Sequence, residues 1–183
     1  IGDISAVDLI SGELLWQLPT QSTTIYQSSF SLETSEIITD GKILYFSNNK
    51  NEIFAINIDT ASFLWKNKVN SNLRSSLIEK YLFSISLEGY LIITDKNSGN
   101  IIKITDIFKN FKIKDRSKIK PTGFIVGLSK IYISTDNGKL IVVNIKTGKV
   151  ITILKIDNEK ISQPFVVDKD LFVIKDNAII KLN

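Results

Sequence analysis

The side chains that most often carry chemistry near neutral pH are missing from this 183-residue chain, which contains no histidine and no cysteine. Histidine is the commonest acid–base group and metal ligand near pH 7. Cysteine supplies thiolate nucleophiles, disulfides and zinc ligands. A catalytic triad, a histidine-assisted nucleophile, a zinc site and a disulfide framework are therefore excluded within this sequence.

Carboxylates remain as candidates for chemistry, and most of them lie in turn-like stretches. Asp136, Asp168, Asp170 and Asp176 are examples, each close to Asn, Gly or Lys. Aspartate in such a position accepts hydrogen bonds from turn amides, so turn formation is a sufficient explanation. The sequence predicts no catalytic residue, no cofactor-binding residue and no metal ligand.

The net charge of +4 comes mostly from lysine, and arginine occurs only at Arg74 and Arg116. Nucleic-acid surfaces concentrate arginine and lysine with aromatic residues on one face, so no nucleic-acid partner is predicted. No apolar run approaches the roughly 18–20 residues that span a bilayer. The chain contains no methionine, which predicts a processed product or a piece of a longer protein.

A polar residue recurs at the end of five short apolar runs and gives the chain a repeat. The runs "GDISAVD", "NEIFAIN", "GYLIITD", "GKLIVVN" and "NAIIKLN" end at Asp8, Asn57, Asp95, Asn144 and Asn183. Successive anchors are 49, 38, 49 and 39 residues apart. A period of about 40–45 residues is typical of a four-stranded propeller blade.

Each period reads as four short strands separated by turns. Runs rich in β-branched and aromatic residues, such as "KILYFS" and "KIYIST", precede the anchor runs, and runs such as "ELLWQL" and "SFLWKN" follow them. Asn137-Gly138 is a strong hairpin signal. The sequence therefore predicts an all-β fold, and the regular period favours a β-propeller over a sandwich.

The predicted fold is a single domain of about four blades. The blades lie at about 1–18 (partial), 35–69, 74–107, 122–156 and 162–183 (partial). Two arrangements fit this count. "ELLWQL" could supply the missing fourth strand of the last blade and close a four-bladed ring. The favoured arrangement is half of an eight-bladed ring.

Two stretches carry a family signature. "AVDLISGELLW" (6–16) and "AINIDTASFLW" (55–65) resemble the Ala-x-Asp-x-x-Thr-Gly-x-x-x-Trp motif of PQQ-like, or quinoprotein-type, propeller repeats. In such a repeat the Asp or Asn accepts hydrogen bonds from turn amides, the Gly adopts a positive φ, and the Trp packs between blades while its indole N–H finds an acceptor. The blade-docking residues predicted in this way are Asp8, Gly12, Trp16, Asn57, Trp65, Asp95, Gly99, Asn144 and Gly148.

The repeats also depart from the motif. Ala61 stands in the Gly position, and Lys103 and Thr152 stand in Trp positions. The two blade junctions that lack a tryptophan are therefore expected to pack differently from the others.

Within the PQQ-like family, the order of features resembles the C-terminal half of the lipoproteins of the outer-membrane β-barrel assembly machinery. The resemblance implies a non-catalytic, cofactor-free scaffold in the periplasm. Its membrane attachment would be a lipid anchor outside this chain. Its implied partners are the periplasmic domains of the barrel-inserting subunit, with unfolded outer-membrane proteins as further candidates.

The same resemblance implies a partner contact in "SFSLETSEI" (29–37), with Ser31 and Glu33 in the positions of contact residues. Two long connections, 19–35 and 106–121, account for the 49-residue periods, and long loops often carry function. The second contains "FKIKDRSKIK", whose alternation favours a lysine-guarded edge strand. An acidic partner or anionic head groups are the alternatives. Aromatic candidates for apolar contacts are Tyr26, Phe30, Phe108 and Phe111, although aromatic residues of a sheet protein more often belong to its core.

Two other function classes stay open. Quinoprotein dehydrogenases share the repeat and bind pyrroloquinoline quinone and Ca²⁺, so a fragment of such an enzyme is one alternative. The chain lacks the adjacent cysteine pair that many of those enzymes carry. A propeller that serves as an interaction module of another complex is the second alternative.

Overall fold

The computed structural model describes residues 3–20 and 32–182. In that part the chain forms seventeen strands in five antiparallel sheets and one four-residue helix. The first sheet is a hairpin of β1 (Asp3–Val7) and β2 (Leu14–Pro19). The all-β prediction is confirmed.

Three four-stranded sheets follow, each with its strands in chain order. The second sheet contains β3 (Ile38–Thr39), β4 (Ile43–Asn48), β5 (Glu52–Asn57) and β6 (Phe63–Asn67). The third contains β7 (Ser76–Ile78), β8 (Tyr81–Ile85), β9 (Tyr90–Asp95) and β10 (Ile101–Asp106). The fourth contains β11 (Pro121–Val126), β12 (Lys130–Thr135), β13 (Lys139–Asn144) and β14 (Val150–Lys155).

The last described sheet has three strands, β15 (Phe165–Val167), β16 (Asp170–Lys175) and β17 (Ala178–Leu182). Helix α1 (Ile113–Arg116) lies in the connection between β10 and β11. The segment predicted as an edge strand therefore contains a helical turn, and that prediction is wrong.

The two central strands of each complete sheet are buried on both faces, so they read as nearly continuous apolar runs. In β5, for example, Ile53, Phe54, Ala55 and Ile56 are all buried. The fourth strands are half-exposed, as the pattern of β10 shows. This gradient places the core between neighbouring sheets and their outer strands at the surface.

The buried side chains pack from one sheet onto the next. Tyr45 and Ile53 of the second sheet share a cluster with Leu82 and Ile92 of the third. A second cluster, which includes Phe83 and Leu91 of the third sheet, extends to Phe124 and Ile133 of the fourth. Burial of these apolar faces holds each sheet against its neighbours.

A register shift recurs in each of the first four sheets, between the strand that leads to the polar anchor and the strand that follows it. It lies at Ala6/Val7, Ala55/Ile56, Ile101/Lys103 and Val142/Val143. Such bulges increase the right-handed twist of a strand pair. Their repetition gives the sheets one common geometry, as stacked propeller blades require.

The described sheets do not close a ring. β2 pairs with β1 only, and β17 pairs with β16 only. Closure by "ELLWQL" as the outer strand of the last blade is therefore wrong for this structure. The fold is a partial β-propeller of four-stranded blades.

Candidate interaction rim

The connections between strands lie on two opposite rims, because successive antiparallel strands run in opposite directions. The connections 32–37, 68–75, 107–120 and 156–164 join blade to blade and share one rim with the turns 48–52, 86–90 and 135–139. We call this the long-loop rim. The turns 8–13, 57–62, 95–100 and 144–149 lie on the other side and form the anchor rim.

The polar anchors of the repeat organise the turns of the anchor rim. Asp8 Oδ1 accepts hydrogen bonds from Ile10 N at 3.0 Å and Ser11 N at 2.7 Å. The other three anchors accept the same kind of hydrogen bond from backbone N–H groups two or three residues later. The donors are Asp59 and Thr60 for Asn57, Asn97 and Ser98 for Asp95, and Thr147 for Asn144. Aspartate and asparagine are interchangeable here because the turn needs only an acceptor oxygen.

The fourth residue after each anchor adopts a left-handed backbone. Gly12, Gly99 and Gly148 have φ values of 73°, 75° and 71°. Ala61 adopts φ 52° at the same place in the second sheet. A side chain at positive φ is strained by roughly 1–2 kcal/mol, so Ala61 stores a small strain that glycine would not.

A tryptophan joins the first sheet to the second, and another joins the second sheet to the third. Trp16 Nε1 donates to the carbonyl oxygen of Ile58 at 2.9 Å, and Trp65 Nε1 donates to that of Lys96 at 2.8 Å. Each acceptor directly follows the polar anchor of the next blade. The indole rings therefore fix the position of the neighbouring turn.

Lys103 takes over this role at the next junction. Its Nζ donates to the carbonyl oxygen of Lys146 at 3.0 Å, close to the anchor Asn144. A Cβ built on Gly148 would lie 2.8 Å from Lys103 Cε, so the lysine stem packs where the indole packs elsewhere. At this junction a lysine stem packs in place of an indole ring, and a hydrogen bond to the next anchor turn is kept. Thr152 occupies the matching register position, opposite Val142.

The turn hydrogen bonds change the acidity of the anchors. The backbone N–H and hydroxyl of Ser98 lower the pKa of Asp95, and those of Ser11 lower the pKa of Asp8. Burial alone would raise the pKa of Asp40. Its hydrogen bond from Lys96, at 2.7 Å, and two bonds from backbone N–H groups outweigh this effect, so the pKa is lowered. Burial raises the pKa of Tyr45. Asp95, Asp40 and Tyr45 lie at the junction between the second and third sheets, whereas Asp8 lies in the exposed anchor turn of the first sheet.

Glu33 lies exposed on the long-loop rim and is held from two sides. Its backbone N–H donates to Asn49 Oδ1 at 3.1 Å, and its carbonyl oxygen accepts from Asn49 N at 3.0 Å. Its carboxylate accepts from Asn72 Nδ2 in the next connection. Ser31, Tyr26 and Phe30, the other predicted contact residues of this loop, lie outside the described residues.

Further acidic side chains extend along the same rim. Glu36 faces Arg74 at 3.2 Å, and Glu88 accepts a hydrogen bond from Asn70. Beside Glu88 opens a cleft of about 560 Å³ that Tyr90 and Arg116 also line. The rim therefore presents several carboxylates next to a concave surface.

The connection 107–120 closes the other side of this cleft. Arg116 donates to Asp106 Oδ2 at 3.0 Å, to the carbonyl oxygen of Lys109 at 2.7 Å and to that of Phe111 at 3.2 Å. Phe108 is only 1% exposed, so of its two alternatives, core residue or partner contact, it is a core residue. Phe111 is partly buried against it, with ring centroids 5.7 Å apart.

Within residues 3–20 and 32–182, no three His, Cys, Asp or Glu side chains converge to hold a metal ion. No helix of that part of the chain is long and apolar enough to cross a membrane.

The repeated blades, anchors and indole junctions define a β-propeller of PQQ-like repeats. Residues 1–105 match the model of the family described as outer membrane protein assembly factor BamB. The chain belongs to that family.

One relative and two solved structures illustrate what this chain is similar to. An uncharacterised protein of Rickettsia prowazekii (strain Madrid E) is 23% identical over 140 residues, which cover 74% of this chain. The crystal structure of BamB from Moraxella catarrhalis superposes over 98% of this chain with a TM-score of 0.70 and 12% identity. The β-propeller domain of Cps50 (Swd1) from Myceliophteria thermophila covers 93% of it, with a TM-score of 0.68 and 11% identity.

The chain spans only part of these proteins. It corresponds to 32% of the rickettsial relative, 51% of the Moraxella BamB chain and 55% of the Swd1 domain.

Proposed function

We propose that this propeller is a non-catalytic scaffold that contributes to assembly and insertion of outer-membrane β-barrel proteins through protein–protein contacts. It would act in the periplasm at the outer membrane, attached by a lipid anchor outside this chain. Membership of the BamB family is the observation that carries the proposal.

The long-loop rim around Glu33 supports a contact of this kind. Glu33 is exposed, and Asn49 and Asn72 hold it in place, so little side-chain freedom would be lost on binding. Charged groups at the edge of an interface guide the approach of a partner with the opposite charge. We propose that Glu33 and Ser31 face the periplasmic domains of the barrel-inserting subunit, with unfolded outer-membrane proteins as further ligands.

A binding measurement tests this proposal. The full-length protein would be titrated with the periplasmic domains of the barrel-inserting subunit, in parallel with Glu33→Lys and Glu33→Gln variants. We expect Glu33→Lys to raise Kd by about tenfold or more, since it reverses the charge at the contact. Glu33→Gln keeps an acceptor for Asn72 and should show a smaller rise.

Glu13→Lys is the matched control, because Glu13 is exposed on the anchor rim and the change in charge is the same. It should bind as the parent does. A folded parent that does not bind the periplasmic domains would overturn the proposed function. Equal binding by Glu13→Lys and Glu33→Lys would remove Glu33 from the interface.

A further inference from the structure

The positive charge of the chain is concentrated in the connection between β10 and β11. Residues 107–120, which we call the basic connection, contain five lysines and one arginine against one aspartate, a net charge of +5. The whole chain carries +4, so the remaining 169 residues together have a net charge of −1. A basic composition spread evenly along the chain would not give this distribution.

The lysines of this connection are available to an external ligand. All five side chains are exposed: Lys109, Lys112, Lys114, Lys118 and Lys120. None of their ammonium groups forms an ion pair or a hydrogen bond with the described residues. Arg116 is the one basic side chain whose charge is paired locally, with Asp106.

An apolar side chain stands among these charges. Ile113 begins α1, is 84% exposed, and lies between Lys112 and Lys114 in the chain. An exposed apolar residue flanked by lysines is the composition of segments that lie in the interface of a membrane. The charges are thus arranged around a group that can enter a bilayer surface.

The basic connection is held firmly at its base. Ile107 and Ile119, near its two ends, are 0% and 3% exposed. Arg116 braces the connection internally, through two of its own backbone carbonyl groups, and links it to Asp106 of β10. Lys139 Nζ lies 4.6 Å from the centre of the Phe111 ring and adds a further cation beside it. A loop that is already ordered loses little conformational entropy on binding.

We propose that the basic connection binds an anionic lipid surface through its five lysines, with Ile113 entering the head-group region. Lysine is a compact, mobile point charge that suits diffuse lipid head groups, whereas paired recognition of protein carboxylates favours arginine. The basic surface continues into a groove of about 600 Å³ that Lys103, Lys109 and Lys149 line. The contact would be weak alone and would orient a propeller attached to the membrane by a second signal.

Vesicle flotation tests the proposal and needs no protein partner, so its result is independent of the proposed scaffold function. A non-lipidated form of the full-length protein would be mixed with phosphatidylcholine vesicles containing about one-third phosphatidylglycerol, at about 0.1 M salt. Each lysine near an anionic surface contributes about fivefold to partitioning. We therefore expect Lys112→Glu/Lys114→Glu to lower the partition coefficient by about 30-fold or more.

The control is Lys130→Glu/Lys146→Glu, which makes the same change in net charge at exposed residues of the opposite rim. It should retain most of the binding. If the first variant fails to fold, as judged by thermal unfolding, Lys109→Glu/Lys118→Glu is a second test variant. Ile113→Ala tests the apolar contact and should weaken binding without changing its salt dependence.

Three results would overturn the proposal. The parent could fail to float with the anionic vesicles, or it could float equally well with phosphatidylcholine alone. The test and control variants could also bind equally. If the parent ignores vesicles while Lys112→Glu/Lys114→Glu loses a protein partner, the basic connection recognises an acidic protein instead.

Discussion

The indole Nε1 of Trp65 lies 2.8 Å from the carbonyl oxygen of Lys96, and this hydrogen bond joins the fourth strand of one blade to the anchor turn of the next. The hydroxyl of Tyr45 reaches the same carbonyl at 3.3 Å. Because the ring also packs against Gly99, the contact combines apolar burial with a hydrogen bond.

Replacement of Trp65 by phenylalanine should therefore destabilise the protein. The change keeps an aromatic ring but removes the stronger donor to Lys96 and leaves space beside Gly99. We expect a loss of about 2 kcal/mol in the free energy of unfolding, measured by urea denaturation. Leu64→Thr, on the exposed side of the same strand, should change it by less than about 0.5 kcal/mol. Equal losses for the two variants would contradict the docking role of Trp65.

Lys103 allows a separate test of the next junction. Lys103→Met keeps most of the stem but removes the donor to Lys146, so we expect a loss of about 1 kcal/mol. Lys103→Ala also removes the stem that covers Gly148 and should cost more. Lys149→Met serves as the control, because Lys149 is exposed. A Lys103→Met protein as stable as the parent would show that the hydrogen bond contributes nothing.

Alanine substitutions at Gly12 and Gly99 separate the cost of backbone strain from the cost of a side-chain clash. Their φ values are nearly equal, but a Cβ at Gly99 would lie 2.7 Å from the Trp65 ring, and a Cβ at Gly12 would meet nothing within 4 Å. Gly12→Ala should cost about 1 kcal/mol from strain alone, and Gly99→Ala about 3 kcal/mol or more. Thermal or urea unfolding measures both.

At Ala61, the equivalent position of the second sheet, a substitution should change the free energy of unfolding in the opposite direction. Ala61→Gly removes the strain of a side chain at φ 52° and should stabilise the protein by up to about 1 kcal/mol. The gain is limited because glycine also makes the unfolded chain more flexible. A destabilised Ala61→Gly protein would show that the methyl group contributes more by packing than it costs in strain.

The lowered pKa of Asp95 predicts a pH dependence. Because the folded pKa lies below the unfolded value of about 3.9, the unfolded state binds the proton first as the pH falls. The stabilisation is complete well above that pH and is lost as the pH falls through the folded pKa. Asp95→Asn should therefore fold normally and lose less stability between about pH 6 and pH 2.5 than the parent does.

Asparagine already stands at the equivalent positions 57 and 144, so this substitution keeps the turn acceptor. The measurement is the unfolding free energy at a series of pH values. Parallel pH profiles for parent and variant would exclude Asp95 as a source of acid sensitivity.

The strands and their order could be predicted because each depends on a short local pattern that recurs along the chain. Asp8, Gly12 and Trp16 carry a signature whose spacing follows from one turn and one strand. The alternation in "FKIKDRSKIK" was misleading, since the three hydrogen bonds of Arg116 and the burial of Ile119 decide the local structure. Those contacts depend on the tertiary fold, which a local sequence pattern does not show.

The blade junctions are likewise predictable only in part from the local sequence. A motif that requires tryptophan does not reveal that an amine on a four-carbon stem can reach the same kind of acceptor. The position of Lys103 is nevertheless a clue to this role, because Lys103 pairs with Ile93 just as Trp65 pairs with Ala55 in the previous blade. The sequence leaves the role of Phe108 open, because an aromatic residue in a long connection has the same sequence pattern whether it is buried or exposed.

The junction hydrogen bonds have a direction along the chain. Each donor precedes its acceptor, by 42 residues for Trp16, 31 for Trp65 and 43 for Lys103. Because synthesis starts at the N-terminus, each donor emerges before its acceptor, and its junction hydrogen bond can form only once most of the next blade has followed. Each of these junctions is therefore completed by the blade that follows it, and a chain truncated after β6 would leave the indole of Trp65 without the turn that it packs against.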